Sequence, residues 1–376
     1  MILRRASTRL RWTRDFSASF GTPQPIDAIL QKNASLIQSL SNRIQQRSKQ
    51  QKKEFTEWRA DAEPILKRVL SCYSKKGYFP AIVGSAMTGL ANPKEGSDVD
   101  IVLYSSMDQH VVKRSRESIT SSPSHSKKVL IKARDILKTS SLQYKTVVLL
   151  PAARFPILKV QIFRTRRAPL ILDLMVDSMP NLRNSVFVRQ CLQTDPRVHQ
   201  LYFWAKHWLQ VCGLIGTLQG LFSTYHTALL VIHFLQYIDH PDMKPVLPLM
   251  LDKFPKTLSP DASFSDIYAL GTSPPSSSLA SLKSENQMSI GELIVRFIDF
   301  YNRIPLSEFE LNIPTGTNIK RTDDEFERIM LIDPYDTRSV CAVEQGVGRL
   351  SEACQQTYQM FSAGRGFQVP FSFIRR

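Results

Sequence analysis

The chain has 376 residues, enough for two domains with substantial cores. It carries 49 Lys and Arg against 33 Asp and Glu, a formal net charge of +16, which favours a polyanionic partner such as RNA, DNA or an anionic membrane. Five cysteines (Cys72, Cys191, Cys212, Cys341, Cys354) lie scattered without CxxC spacing and no apolar run approaches bilayer-spanning length; this argues against a disulfide framework, a zinc site and a membrane span, and for a reducing compartment.

Residues 1–25 are rich in Arg and Ser, with Arg4, Arg5, Arg9, Arg11 and Arg14 ahead of the first acid, Asp15. This composition predicts a mitochondrial transit peptide; a basic arm touching RNA is the alternative. Over 26–70, Ile26, Ile29, Leu30, Leu36, Ile37 and Leu40 recur at helical spacing. The polar run NRIQQRSKQQKKEF follows, read as a solvated helix surface that helps to contact RNA, and a second helix spans 58–73.

The most informative stretch is 84–104, GSAMTGLANPKEGSDVDIVLY. An apolar run at 81–83 leads into Gly84-Ser85, and Asp98-Val99-Asp100 leads into the apolar run 101–104, which reads as a buried strand. Alternation along a strand puts Asp98 and Asp100 on one face, about 7 Å apart. Two such carboxylates repel each other and are costly to desolvate, so something positive belongs between them, and a pair of Mg2+ ions fits best. Gly84 allows a tight turn and close backbone approach, and exposed N–H groups with the Ser85 hydroxyl suit phosphate oxygens.

A basic, Ser-rich stretch begins at 107 and ends in a helix, KKVLIKARDILK; 144–150, 155–163 and 169–176 read as strands. The last carries Asp173 among Leu170, Ile171, Leu172, Leu174, Met175 and Val176, a costly place for a carboxylate that is neither paired nor metal-bound. Asp177, on the same face, is the alternative. The helix 198–211 has an apolar stripe of Leu201, Trp204, Ala205 and Trp208. Ser223 or Thr224 caps the core helix that follows, with His226 and His233 packed rather than catalytic. Residues 239–287 are Pro- and Ser-rich, with a lid-like or disordered loop near 271–286. A helix over 288–306 buries Leu293, Ile294, Phe297, Ile298 and Tyr301, and 329–361 runs from Asp333-Pro334-Tyr335-Asp336 into a last helix.

The order apolar run, Gly-Ser, spacer, Asp-apolar-Asp, apolar run resembles the signature of the DNA polymerase β-like nucleotidyltransferases. Within them the chain resembles the template-independent RNA poly(A)/poly(U) polymerases, from about 81 to about 361. The resemblance implies an α+β fold. A nucleotidyltransferase palm with a mixed sheet is expected at 70–180, and a mostly helical domain at 181–376 with a poly(A)-polymerase-associated region near 288–345. The N-terminal helices, 26–69, are expected to pack on the helical domain. Asp98, Asp100 and Asp173 are implied to be the catalytic carboxylates that hold Mg2+ (or Mn2+). Nucleotide contacts are implied for Gly84, Ser85, Asn184, Ser185, Lys206, Thr224, Tyr225, Asp333 and Ser339. In that reading Asn184-Ser185 stands where the family has Asn-Thr at the sugar, Lys206 and Thr224 reach phosphate, and Tyr225 stacks on the base. Gln210 replaces a frequent second lysine. Ser339 and Val340 replace a His and an Asn usual in uridine-selecting members. The implied reaction adds AMP from ATP to a single-stranded RNA 3′ end, with terminal uridylyl transfer as the alternative. An RNA-binding protein partner and a mitochondrial location, or else cytoplasm or nucleus, go with it. Two rivals are a catalytically weak RNA-binding scaffold and a palm acting on a non-RNA acceptor.

Overall fold

The computed structural model describes residues 25–96, 98–105, 123–140, 142–150, 156–164, 167–273, 284–335 and 341–368. A short helix α1 (Ile26–Lys32) precedes a 41-residue helix α2 (Ala34–Ser74). The palm follows as β1 (Phe79–Val83), α3 (Gly84–Thr88), β2 (Val99–Tyr104), α4 (Pro123–Lys138), β3 (Tyr144–Leu150), β4 (Ile157–Arg164) and β5 (Arg167–Val176). Its sheet has the order β1-β2-β5-β4-β3, with β2 and β5 parallel and the other pairs antiparallel. The mixed sheet expected from the sequence is therefore present.

Side-chain alternation gives this sheet two different faces. Ile101 and Leu103 of β2, Leu158, Val160 and Ile162 of β4, and Leu172 and Leu174 of β5 pack with Leu66, Val69 and Tyr73 of α2 and Leu130, Ala133 and Leu137 of α4. The intervening residues point the other way, and Val102, Tyr104 and Met175 join the larger core. That core is built by α5 (Met179–Thr194), α6 (Pro196–Val211), α7 (Thr224–Gln236), α8 (Met250–Lys253), α9 (Phe264–Thr272), α10 (Ile290–Arg303) and α11 (Val347–Ser362). Trp204 and Trp208 stack at 5.7 Å, and Phe297 meets both edge-on. Among the described residues no helix is long and apolar enough to cross a membrane.

Two features differ from the sequence reading. The helix read over 26–70 and the second helix read over 58–73 are largely one, because the polar run does not break the buried stripe. Ile44, Ser48 and Gln51, at helical spacing, carry it onward. Ser48 Oγ lies 2.7 Å from His199 Nδ1, and Gln51 Oε1 lies 2.9 Å from His199 Nε2. The first half of α2 packs with the large core through Ile37, Leu40 and Ile44, and the second half packs under the palm, so one helix crosses the expected boundary at 69/70. Second, a four-stranded sheet stands in the region expected to be helical. It consists of β6 (Phe309–Asn312), β7 (Thr317–Lys320), β8 (Ile329–Ile332) and β9 (Cys341–Val343), in the order β7-β6-β8-β9.

Candidate functional site

The acidic residues come together through strand register. Asp100 of β2 pairs with Asp173 of β5, and Asp173 pairs with Lys159 of β4. The neighbours of all three in sequence are buried on the α2–α4 side, so alternation sends Asp100, Asp173 and Lys159 to the opposite face. Asp98 stands one residue ahead of β2 and accepts a hydrogen bond from Lys159 Nζ at 2.7 Å. The same ammonium lies 3.3 Å from Asp173 Oδ1, a longer ion pair to the neighbouring strand.

Burial pushes the Asp100 carboxyl up to about 7, reinforced by the charges of Asp173 and Asp98 and opposed by Lys159. Asp173 is raised chiefly by burial, against the pull of Lys159. For Lys159 burial acts downward, but its bond to Asp98 and the two carboxylate charges outweigh it and raise the ammonium. Removing water from like charges produces such shifts, and a cation of higher charge density would reverse them. Among the described residues no three His, Cys, Asp or Glu side chains converge on a ready-made metal cluster. The acidic row nevertheless suits divalent cations, because it gathers three carboxylates about one ammonium, that of Lys159, and Asp100 is held at an energetic cost.

Gly84 opens α3 at the end of β1 with φ +66°, and a Cβ there would come 2.3 Å from Asp100 Oδ2. Only glycine lets the backbone pass this close to the carboxylate. Its N–H is already engaged, donating to Ser185 Oγ at 2.7 Å, and Ser185 Oγ donates to Asn181 O. Ser185, expected at the sugar, thus ties the Gly-Ser turn to α5, and the Gly84 N–H is not spare for a phosphate as the sequence suggested.

Beside the acidic row lies a cavity of about 280 Å³. Gly84, Ser85, Asp100, Asn184, Ser185, Thr224 and Tyr225 all line it, so seven of the twelve sequence-chosen residues share one space. Among the described residues, Asn184 Oδ1 is buried there without a hydrogen-bond partner. Ser223 caps α7 by accepting from the His226 N–H, while His226 Nδ1 accepts from the Ser223 N–H, which sets Thr224 and Tyr225 at the cavity wall.

With the palm register and the cavity in place, residues 35–193 match the family model described as the central palm domain of mitochondrial-like poly(A) RNA polymerases. This stretch is thus similar to the palm of poly(A) RNA polymerases. The chain is 23% identical over 260 residues to poly(A) RNA polymerase GLD2 of Xenopus tropicalis, covering 68% of this chain and 44% of that protein. It is 24% identical over 265 residues to the mitochondrial poly(A) RNA polymerase of Drosophila melanogaster, covering 66% and 42%. The match spans less than half the length of these relatives. The fold is similar to that of a solved GLD-2/RNP-8 complex, with a TM-score of 0.67 at 18% identity over 89% of this chain and 97% of that one.

The other sequence-chosen residues fall around this palm rather than inside the cavity. Lys206 lines a smaller recess with Gln51, Asn92, His199 and His207, which shares the lining residues Leu90 and Tyr202 with the main cavity. Asp333 is buried and accepts a 2.6 Å hydrogen bond from Tyr225 Oη, so it sets the tilt of the Tyr225 ring. Ser339 lies outside the described residues, as do residues 1–24 and most of the loop near 271–286. Asp177, the alternative third carboxylate, instead accepts from the Ser105 N–H and hydroxyl at 2.8 and 2.9 Å, beyond the far end of β2 from Asp98. Sequence reasoning passed over Lys159, whose signal was a lone cation alternating with apolar residues in ILKVQIF. It also passed over Asn181 and Tyr202 on the cavity wall.

Proposed function

We propose that the chain is an RNA 3′-terminal nucleotidyltransferase that adds AMP from ATP to single-stranded RNA and releases pyrophosphate. The observation that carries this reading is the in-register acidic row, whose Asp100 forms part of a cavity wall shared with Gly84, Asn184 and Tyr225. Asp98, Asp100 and Asp173 would hold Mg2+ or Mn2+. Such ions, when bound, lower the pKa of an attacking hydroxyl and neutralise charge on leaving pyrophosphate. Tyr225, braced by Asp333, offers a ring face to the base, an attraction every base shares. The Asn184 Oδ1, buried in the wall, would accept from a ribose hydroxyl. Ser85 and Thr224 would meet phosphate oxygens, and Lys206 would steady the far end of the triphosphate from its recess past Tyr202. The product side of the cleft then belongs to the RNA strand, consistent with the net charge of +16.

The arginine-rich start, together with the Drosophila relative named mitochondrial, supports delivery to mitochondria. Partnership with a second protein is part of the same proposal, since the GLD-2 structure it resembles is a complex with RNP-8. The test is incubation of the purified chain with an oligonucleotide RNA, Mg2+ and each of the four ribonucleotides in turn. Lengthening of the RNA, best with ATP, is expected, and an unextended primer in all four would refute the reading.

A further inference from the structure

Lys159 has no place in the proposed reaction, yet the β4–β5 register sets it directly opposite Asp173. Its neighbours Leu158 and Val160 are fixed in the core beneath the sheet, so the β4 pleat aims Lys159 at the acidic row. Its ammonium touches Asp98 Oδ2 and approaches Asp173 Oδ1, joining carboxylates that belong to different strands. A divalent cation bridging the row needs lone pairs on these same oxygens. An ammonium and a divalent cation cannot share that space, because both are positive and both claim the carboxylates. The Lys159 side chain is 40% exposed. Its head can therefore withdraw into solvent on a flexible four-carbon stem while the strand stays in place.

We infer that Lys159 is an exchangeable counter-ion: it bridges Asp98 and Asp173, keeps the acidic row from repelling itself apart, and gives way when a divalent cation takes the site. This rests on the assignment of Asp98, Asp100 and Asp173 as the cation-binding carboxylates. One consequence is that a free divalent cation must compete with a tethered charge. The displaced ammonium regains a partner when a triphosphate enters beside it, so cation and nucleotide should load together.

The test measures Mn2+ binding to the full chain by the electron paramagnetic resonance signal of the free ion, for the wild type, Lys159→Met and Asp100→Asn. Lys159→Met should bind Mn2+ about tenfold more tightly than the wild type, a gain of about 1.4 kcal/mol. In parallel, labelling of Lys159 in the wild-type chain by an amine-acylating reagent, read by mass spectrometry, should speed up when Mn2+ is added. This second measurement needs no variant to fold. Equal or weaker binding by Lys159→Met, or labelling that Mn2+ leaves unchanged, overturns the exchange. The control separates this from failure of the parent reading: if Asp100→Asn binds Mn2+ as the wild type does, the carboxylate assignment itself falls, and the exchange with it.

Discussion

Replacing Gly84 by alanine probes the junction between the Gly-Ser turn and the acidic row. Two costs arise, and a second glycine separates them. Gly84 has φ +66° and Gly77, in the turn after α2, has φ +84°. Holding an L-residue in the left-handed region costs about 1–2 kcal/mol at either position. A Cβ at Gly77 meets nothing within 4 Å, whereas at Gly84 it falls 2.3 Å from Asp100 Oδ2 and 3.3 Å from its Cγ. The strand end is packed, so relief means turning the Asp100 carboxylate away or shifting α3, an overpacking cost of about 1–3 kcal/mol. Gly77→Ala should therefore lower stability by about 1–2 kcal/mol and Gly84→Ala by roughly 2–5 kcal/mol. The assay pairs denaturant unfolding with nucleotide incorporation into an RNA primer. Gly77→Ala should keep wild-type incorporation, and Gly84→Ala should lose nearly all of it because Asp100 is displaced. Wild-type incorporation by Gly84→Ala, with a stability loss no greater than that of Gly77→Ala, would refute the role given to this contact.

Other outcomes follow from the same geometry. Asp98→Ala, Asp100→Ala and Asp173→Ala should each nearly abolish transfer with the fold retained, while Asp177→Ala should leave transfer intact; the reverse pattern for Asp173 and Asp177 in a primer-extension assay would reassign the third carboxylate. Tyr225→Phe breaks the 2.6 Å bond to Asp333 and should raise KM for the nucleotide about three- to tenfold with little change in kcat, matching a bond worth about 0.5–1.5 kcal/mol; an unchanged KM would show that Asp333 does not set the ring. Burial holds His226 and His233 at about 4, and burial with the nearby Lys52 charge holds His199 at about 3. These pKa values lie below the ordinary histidine value, so the stability that the neutral rings contribute is complete above about pH 6.5 and is lost as pH falls below it. At pH 4.5 the loss reaches about 2–3 kcal/mol per fully buried ring, and His199→Gln should flatten the decline; a His199→Gln chain that loses stability as steeply between pH 7.5 and 4.5 as the wild type would contradict this. Ser339→His should shift the ratio of kcat/KM for ATP over UTP toward UTP, as the resemblance implies for a position where uridine-selecting members carry a His, with shape discrimination worth roughly 1–3 kcal/mol; a wild type that already prefers UTP would overturn the proposed ATP preference.

Part of the palm was legible in the sequence because its strands are short apolar runs interrupted by single carboxylates. Asp98 and Asp100 stand two residues apart in DVDIVLY, which predicted a common face, and Asp173 stands alone among apolar residues in PLILDLMV, which predicted a costly burial. The pairing of Asp100 with Asp173 was not legible, because parallel neighbours separated by two other strands carry no local mark of register. Nor was the meeting of Lys159 with Asp98, which needs the order β2-β5-β4. The second sheet escaped notice because its strands are three or four residues long, too short to show a period. The continuity of α2 was hidden by polarity: Ser48 and Gln51 are buried through hydrogen bonds to His199, a residue far along the chain. Asp333, chosen from the sequence for the nucleotide, accepts from Tyr225 Oη and is not among the residues lining the cavity.

The most direct measurement is a single-nucleotide incorporation assay with the purified chain, Mg2+, a labelled single-stranded RNA and ATP, UTP, CTP or GTP alone, run beside Asp100→Asn. Extension by the wild-type chain that is fastest with ATP, absent in Asp100→Asn and accompanied by one pyrophosphate per residue added is the predicted result. An RNA left unextended with every nucleotide, or extended equally by Asp100→Asn, would contradict it.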